Sequence, residues 1–161
     1  MLSQTTEYAL RVVAHLASVK KAVTTHQIAI ATRVPEGYLA KVLQGLSRAG
    51  LVFSQRGLHG GSSLAKSPAE ITLYDVVQAI DPIQRIKTCP LGLKTHANLC
   101  AVHQRLDNAM NAAEEVFKGS TLADMLADPS PSKPLCDTEG AQGTVKRSRP
   151  VKLTIRKKKP A

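Results

Sequence analysis

LVFSQRGLHGGSSLA, residues 51–65 of a 161-residue chain, carries the most specific structural pattern in this sequence. A short strand-like run ends at Arg56, a glycine-rich tip follows, and a second short apolar run brings the chain back. Glycine adopts the positive φ angles that hairpin turns need, and we expect Gly60 and Gly61 to serve that geometry. The stretch therefore predicts an exposed antiparallel hairpin with an arginine at its tip.

Two helices are predicted at the start of the chain. In residues 5–19 apolar side chains recur every three or four positions, as in a helix with one buried face. Thr5 or Thr6 is available to cap the first turn of this helix. Thr24 or Thr25 is available to cap a short second helix in the same way.

A third helix follows at Val34-Pro35-Glu36-Gly37, because proline is tolerated in a first turn and restricts the residue before it. Gly50 is expected to end this helix. The buried stripe of the third helix is predicted to consist of Leu39, Val42, Leu43 and Leu46. Two helices joined by a tight turn and followed by a hairpin form a winged helix-turn-helix, in which residues 51–65 are the wing. The predicted fold class is therefore mainly α with a small β-hairpin.

Beyond the wing, three further apolar segments indicate helices. Residues 71–80 have one apolar face and end near Asp81-Pro82, residues 100–118 carry a longer apolar stripe, and residues 122–126 form a last short piece. Residues 83–99 have no helical periodicity and contain Cys89-Pro90-Leu91-Gly92, so an irregular loop is expected there.

The net charge of +10 is concentrated towards the C-terminal end. From Asp128 onward the chain carries nine Lys/Arg and three Asp/Glu, which leaves +4 for residues 1–127. Prolines interrupt residues 128–161 and apolar residues are few, so this tail is predicted to be disordered. A basic balance favours polyanionic partners, above all nucleic acid, with acidic membrane surfaces as the competing class. The tail is either an electrostatic arm on DNA or a solubilising segment.

The candidate DNA contacts lie on the outer face of the third helix and at the tip of the wing. The Gln44 side chain can hydrogen-bond to the edge of an adenine, whereas Lys41 and Arg48 can bind phosphates or guanine. Arg56 suits the minor groove. The alternative for each is an ordinary solvated side chain. The full set is Gly37, Tyr38, Lys41, Gln44, Arg48, Arg56, Gly57 and His59.

The sequence lacks the motifs of an enzyme. It contains no HExxH, no GxSxG and no phosphate-binding glycine loop between a strand and a helix, since residues 57–61 are too few and lie between two strands. No apolar run is long enough to cross a bilayer and the N-terminus lacks a signal-peptide pattern, so a cytoplasmic protein is expected. A non-enzymatic DNA-binding protein is predicted, with a protein-interaction module on the same scaffold as the alternative.

The chain resembles the Rrf-type transcriptional regulators over residues 1–118. The motifs that carry the resemblance are Met1-Leu2-Ser3, Glu7-Tyr8-Ala9-Leu10-Arg11, Tyr38-Leu39, Arg56-Gly57 with Gly60-Gly61 and Leu64-Ala65, Ile71-Thr72-Leu73, Asp75-Val76-Val77 and Ala79-Ile80-Asp81. The resemblance implies a homodimer whose long C-terminal helices cross, with a recognition helix in each major groove and a wing in each flanking minor groove. It also implies binding of double-stranded DNA at palindromic promoter sites, usually as a repressor.

With this resemblance the chain divides into four parts. Residues 1–82 form the winged helix-turn-helix DNA-binding domain and residues 83–99 form a cysteine-containing sensor loop. Residues 100–127 contain the dimerisation helix and a short closing helix, and residues 128–161 are the basic tail. The apolar stripe of residues 102–117 suits a dimer interface, although core packing requires the same pattern.

Sensing members of this family hold an iron–sulfur cluster on three cysteines in the loop before the dimerisation helix. Here that loop supplies only Cys89 and Cys100, and Thr95 and His96 stand near the place of the middle cysteine. Cys136 lies in the tail, outside the resemblance. An odd number of cysteines without an export signal argues for free thiols or metal ligands rather than a disulfide framework.

Two thiolates do not complete the ligand set of an iron–sulfur cluster, which usually has four members. The resemblance makes Glu7 a candidate for a further ligand, because some family members use a carboxylate of the first helix, and His96 or His103 is another. A thiol switch, in which Cys89 and Cys100 form a disulfide on oxidation, is the second interpretation. The third is that these cysteines have no sensing role. A winged-helix regulator that has no cofactor and responds to a small-molecule effector is a further alternative.

Overall fold

The computed structural model describes residues 2–19, 21–55, 57, 60–90, 92 and 98–129 and confirms a mainly helical fold with a small antiparallel hairpin. Its elements, in chain order, are α1 (Gln4–Val19), α2 (Thr25–Thr32), α3 (Glu36–Arg48), β1 (Val52–Gln55), β2 (Gly61–Leu64), a 3-10 helix (Pro68–Glu70), α4 (Leu73–Ile80), α5 (Ala101–Lys118) and α6 (Leu122–Ala127). The helices predicted from the sequence are present, whereas the 3-10 helix is not predicted by it.

α1 begins one residue earlier than predicted, because Ser3 caps it rather than Thr5 or Thr6. The Ser3 hydroxyl accepts a hydrogen bond from the Thr6 amide at 3.2 Å, which is the usual contact between an N-cap and the third helical residue. Thr6 is buried, and its hydroxyl lies 3.0 Å from that of Ser3. Both threonines therefore lie inside the helix.

The turn between α2 and α3 is confirmed. Thr24 caps α2: its hydroxyl accepts from the Gln27 amide at 3.3 Å, and the Gln27 side chain accepts from the Thr24 amide at 2.9 Å. Arg33, with a φ of 55°, follows α2 in the left-handed conformation. Pro35 occupies the N-cap of α3 rather than its first turn.

The end of α3 directs the chain into the wing. The Leu51 amide donates to the Leu46 carbonyl and the Gly50 amide donates to the Ser47 carbonyl, each at 3.0 Å, which is the Schellman arrangement. Gly50 has a φ of 69°, a conformation that glycine adopts without steric cost. The predicted role of Gly50 is confirmed, and β1 starts two residues later.

The hydrophobic core lies between α1, α3 and α4, and α6 closes it. The largest fully buried side chains include Leu16, Ile28, Leu39, Leu46, Ile71 and Leu122. The Leu122 amide donates to the Ile71 carbonyl and the Leu73 amide donates to the Ser120 carbonyl, each at 2.9 Å. α6 therefore packs in the same core as the helix-turn-helix.

α5 contributes little to that core. Asp107 is its buried residue, whereas Val102, Leu106 and Val116 are 65%, 48% and 64% exposed. α5 contacts α4 along one side. Even α5 is not apolar enough to span a bilayer, and the same holds for the other helices of the described chain.

An arginine clamp holds the start of the 83–99 loop against α5. Arg85 donates through Nε and Nη2 to the two carboxylate oxygens of Asp107, each at 2.7 Å, and the Ile86 amide donates to the same carboxylate at 2.9 Å. Arg85 also contacts Asn111 and Glu114. The Arg85 guanidinium and the Ile86 amide lower the pKa of Asp107 from 3.8 to about 2.

Glu114 extends this network to α4. Hydrogen bonds from Lys118 and then from Tyr74 lower the pKa of the Glu114 carboxyl. Lys118 Nζ lies 3.0 Å from Glu114 and 5.0 Å from the centre of the Tyr74 ring. The loop, α5 and α4 are thus joined by one continuous set of polar contacts.

Removing the Leu122 side chain tests whether α6 belongs to the core. Leu122→Ala should lower the free energy of unfolding by about 2–5 kcal/mol, because it leaves a cavity in a fully buried site. Ile30→Ala is the matched control, since Ile30 is 66% exposed and its loss should cost less than about 0.5 kcal/mol. Urea unfolding measures both, and equal losses would contradict this placement of α6.

The Asp107 clamp should make stability depend on pH. A carboxyl whose pKa is lowered from 3.8 to about 2 stabilises the folded chain at pH above 4, and this contribution disappears as pH falls through about 2. Asp107→Asn should therefore lower the urea midpoint clearly at pH 7 and less at pH 3. Asp81→Asn, at an exposed carboxyl, is the control and should change little at either pH. A loss for Asp107→Asn that does not vary with pH would contradict the clamp.

Candidate nucleic-acid interface

The wing is a short hairpin with regular pairing. β1 and β2 are antiparallel, with Val52 opposite Leu64 and Gln55 opposite Gly61. The hydroxyls of Ser54 and Ser62, which stand opposite each other, lie 2.9 Å apart. The exposed antiparallel hairpin predicted for residues 51–65 is confirmed in its strands.

Glycine shapes the tip of the wing. Gly57 has a φ of 113°, and its carbonyl accepts a hydrogen bond from the Gly60 amide at 2.9 Å. A residue with a side chain rarely adopts this φ. Arg56, Leu58 and His59 lie outside the described residues, so the DNA contacts predicted for Arg56 and His59 stay predictions.

The wing is held by a segment from outside it. The Val23 amide donates to the Ser62 carbonyl at 3.0 Å and the Ser62 amide donates to the Val23 carbonyl at 2.8 Å. Gly61 does not have a positive φ, so the turn role predicted for it is wrong. Glycine at position 61 instead allows the close approach of Val23, because a Cβ there would lie 2.9 Å from the Val23 carbonyl oxygen.

Four of the predicted DNA contacts share one face of α3. Gly37, Lys41, Gln44 and Arg48 recur every three or four residues and are all exposed, and we call this face the α3 ridge. The opposite face is buried against the core through Leu39, Val42, Leu43 and Leu46. The predicted buried stripe of α3 is therefore confirmed.

A groove runs along each side of the α3 ridge. The groove towards the wing is lined, besides the ridge, by Thr24, Thr25, Ala40, Leu43, Ser47, Ser54, Gln55, Gly57, Gly60, Gly61 and Ser62. The groove on the other side is lined by the start of α1, Gly45 and the end of α4. Lys41, Gln44 and Arg48 border both grooves. The α3 ridge therefore projects between two depressions, with two cationic side chains along it.

The wing-side groove also contains four polar residues that are not predicted from the sequence as DNA contacts: Thr25, Ser47, Ser54 and Gln55. Hydroxyl and amide groups of this kind bind phosphate oxygens through hydrogen bonds. Ser47 follows Gln44 by three residues, so the helical periodicity contains a signal for it. Ser54 and Gln55 reach the groove only because the wing folds back beside α3, and no local pattern shows this.

Tyr38 lies apart from the α3 ridge. Its ring packs edge-on against that of Tyr8, with the ring centres 5.6 Å apart, and it is half exposed. The guanidinium of Arg11 lies over the Tyr8 ring, 5.9 Å from its centre. Tyr38 does not border either groove described above, and the DNA contact predicted for it stays a prediction.

Glu7, a candidate cluster ligand, is engaged within α1. Its carboxylate pairs with Arg11, whose Nε donates to it at 2.7 Å. Arg11 also reaches the carbonyl of Thr32 at the end of α2, at 3.5 Å. Glu7 thus orients, through Oε1, an arginine that joins α1 to α2, and the ligand role predicted for Glu7 stays a prediction.

Cys89 lies within the 83–99 loop, and Cys100 directly follows that loop. The Gly92 amide donates to the Cys89 carbonyl at 3.0 Å, which closes a tight turn after Cys89. Cys100 is the N-cap residue of α5, and its Sγ lies 3.3 Å from Nδ1 of His103. Both thiols are free and partly buried.

Among the described residues, the candidate ligands of an iron–sulfur cluster are not brought together. Within the described ranges, no three His, Cys, Asp or Glu residues are grouped so that they could hold a metal ion. A cluster usually has four ligands, and Cys100 with His103 provides two neighbouring donors. His96 and Cys136 lie outside the described residues, so the ligand role predicted for His96 stays a prediction.

Comparison with known proteins agrees with this arrangement. The chain matches the Rrf2 family model, described as iron-dependent transcriptional regulator, over residues 2–128. It is 34% identical over 131 residues to an HTH-type transcriptional regulator of Aquifex aeolicus, with 78% of this chain and 91% of the relative covered. It is 33% identical over 135 residues to the HTH-type transcriptional regulator NsrR of Geobacillus kaustophilus, with 79% and 90% covered.

A solved structure gives the same result. T. potens IscR is similar with a TM-score of 0.67 and 28% identity, over 81% of this chain and 88% of that one. The family match includes α6, beyond residues 1–118 on which the sequence resemblance rests. The winged helix-turn-helix, the α3 ridge and these matches lead to one conclusion: the chain belongs to the Rrf2 family of DNA-binding transcriptional regulators.

Proposed function

We propose that this chain is a homodimeric repressor that binds a palindromic promoter site, with α3 in the major groove and the wing in the flanking minor groove. The observation that carries the proposal is the α3 ridge, which is exposed and lies between two grooves beside the wing. The major groove of B-DNA admits an α-helix and displays a distinct set of donors and acceptors for each base pair. A regulator of chromosomal promoters works in the cytoplasm, which is the location we propose.

Each side chain of the ridge has a role that follows from its chemistry. Gln44 can make two hydrogen bonds to an adenine edge and therefore reads sequence. Lys41 and Arg48, about one turn to either side, neutralise phosphates or bind guanine. Thr25, in the first turn of α2, offers its hydroxyl and a helix N-terminus to a backbone phosphate.

The exposed face of α5 supports dimerisation. Val102, Leu106, Ala109, Ala113 and Val116 are exposed and separated alternately by four and three residues. This is the spacing with which two helices pack along an apolar seam. A two-fold dimer presents two copies of α3 to DNA, so it matches a palindromic site whose halves lie about one helical turn apart.

We further propose that Cys89 and Cys100 regulate DNA binding by thiol chemistry. On oxidation by a peroxide, the two thiols would lose two protons and two electrons to form a disulfide, and hydrogen peroxide would become two molecules of water. Arg85 anchors one end of the loop on α5, and Cys100 is the N-cap at the other end. A disulfide would therefore shorten a loop whose ends are both anchored on α5, and the strain would favour one arrangement of the dimer. We propose thiol chemistry rather than a cluster because no three candidate ligands are grouped in the part of the chain that the structure describes.

Two substitutions on the α3 ridge should affect DNA binding differently. Gln44→Ala should weaken binding to a DNA sequence selected from a random pool by about 1–3 kcal/mol and relax the preference at one base pair. Lys41→Ala should weaken binding to all sequences alike and reduce the salt slope by about one unit. Fluorescence anisotropy at several salt concentrations measures both effects.

Lys87→Ala is the matched control, because Lys87 is exposed on the loop before Cys89, away from both grooves. It should leave the affinity unchanged at a given salt concentration to within about a factor of two. If Gln44→Ala and Lys41→Ala behave like Lys87→Ala, α3 is not the reading helix.

The regulatory part is tested by counting thiols on chain prepared without oxygen. Mild peroxide should remove two free thiols per chain and change the affinity for the selected DNA, and a reductant should restore both. Cys89→Ser and Cys100→Ser should each abolish the response, whereas Cys136→Ser should not. Absorption above about 320 nm together with bound iron and sulfide would show a cluster instead. Unchanged thiols would exclude the switch.

A further inference from the structure

We infer that the wing and the helix-turn-helix form one rigid reading unit, and that Gly61 is the positioning residue that makes this possible. The inference rests on the proposed function for its assumption that the wing contacts DNA. The joint is the Val23–Ser62 pair, two backbone hydrogen bonds of 3.0 and 2.8 Å that run between the segment before α2 and strand β2.

The pair lies near the tip of the wing rather than at its base. Ser62 stands opposite Ser54, one position from the Gln55–Gly61 pair that ends the ladder. At the base, the Ala65 amide donates to the Leu51 carbonyl at 3.0 Å. The hairpin is therefore held at both ends. This matters because an isolated two-stranded hairpin is marginally stable in water.

Val23 is a fixed support for the wing. Its side chain is buried in the core with 7% exposed. The next residue, Thr24, is held by the capping box of α2, in which it exchanges hydrogen bonds with Gln27. Val23 therefore cannot follow a displaced wing without uncovering apolar surface or losing the helix cap.

Position 61 tolerates only glycine in this arrangement. A Cβ there would lie 2.9 Å from the carbonyl oxygen of Val23, and 3.1 Å from both its carbonyl carbon and its amide nitrogen. All three are backbone atoms, so no change of rotamer relieves the overlap. Even alanine would force Val23 and the wing apart and open the Val23–Ser62 pair.

The joint determines the geometry of DNA reading. Thr24, Thr25, Gly61 and Ser62 line the same groove as the α3 ridge. With the pair closed, the position of β2 relative to α3 is set before DNA binds, and this sets the spacing between the major-groove and minor-groove contacts of the proposed function. A preformed unit pays less ordering entropy on binding than a mobile wing.

The test compares Gly61→Ala with the unaltered chain in hydroxyl-radical footprints on the selected DNA. Gly61→Ala should weaken binding about ten- to a hundredfold and remove protection at the outer flanks of the site, while the centre of each half-site stays protected. Ser63→Ala, on the same strand, is the control, and it should keep both the binding affinity and the protection at the outer flanks. Circular dichroism establishes that each variant is folded at the temperature used.

A double-mutant cycle with Arg56→Ala separates positioning from general destabilisation. Arg56→Ala should weaken binding in the unaltered chain and have almost no effect in Gly61→Ala, because the displaced wing no longer reaches DNA. If Gly61→Ala does not fold, Val23→Pro replaces it, since proline removes the Val23 donor without adding an atom at position 61.

This inference is wrong if Gly61→Ala still protects the outer flanks, or if the losses of binding affinity add in the double mutant. Either result would leave the proposed function intact. If the unaltered chain protects the half-sites but no flanks, the wing does not contact DNA, and both this inference and the wing's part in the proposed function are wrong. If it protects no DNA at all, the proposed function itself fails.

Discussion

Two backbone hydrogen bonds between Val23 and Ser62 determine where the wing stands relative to α3. They join the segment before α2 to β2, so that the first turn of α2, the α3 ridge and the wing border one groove. Gly61 permits this approach because it has no side chain. Opening the pair would leave the hairpin attached only at its base, and the wing-side groove would lose its fixed shape.

The sequence predicts the elements whose signals are local. Thr24 caps α2 and Gly50 ends α3 as predicted, since capping and left-handed glycine depend on a few neighbouring residues. The exposed positions of the α3 ridge follow from helical periodicity for the same reason. The Val23–Ser62 pair and the packing of Leu122 against the core depend on residues far apart in the chain, and no periodicity indicates them.

The 83–99 loop, to which we assign the proposed thiol regulation, depends on the same kind of distant contact. Arg85 binds Asp107 through two hydrogen bonds, and Glu114 continues the network to Tyr74 on α4. α4 in turn packs on α3, where a Cβ at Gly45 would lie 2.8 Å from Ile80 Cδ1. A continuous chain of hydrogen-bonded and packed groups therefore joins the cysteine loop to α3, the helix that we propose reads DNA.

Amide hydrogen exchange of the free, unaltered chain tests the central claim most directly. Amides in stable hydrogen bonds exchange slowly, and exchange of a pair that opens locally is fast. If the wing and the helix-turn-helix form one unit, the Val23 and Ser62 amides exchange as slowly as the amides of the β1–β2 ladder. Rapid exchange of both amides, with the ladder still protected, would show that the hairpin moves independently of the helix-turn-helix.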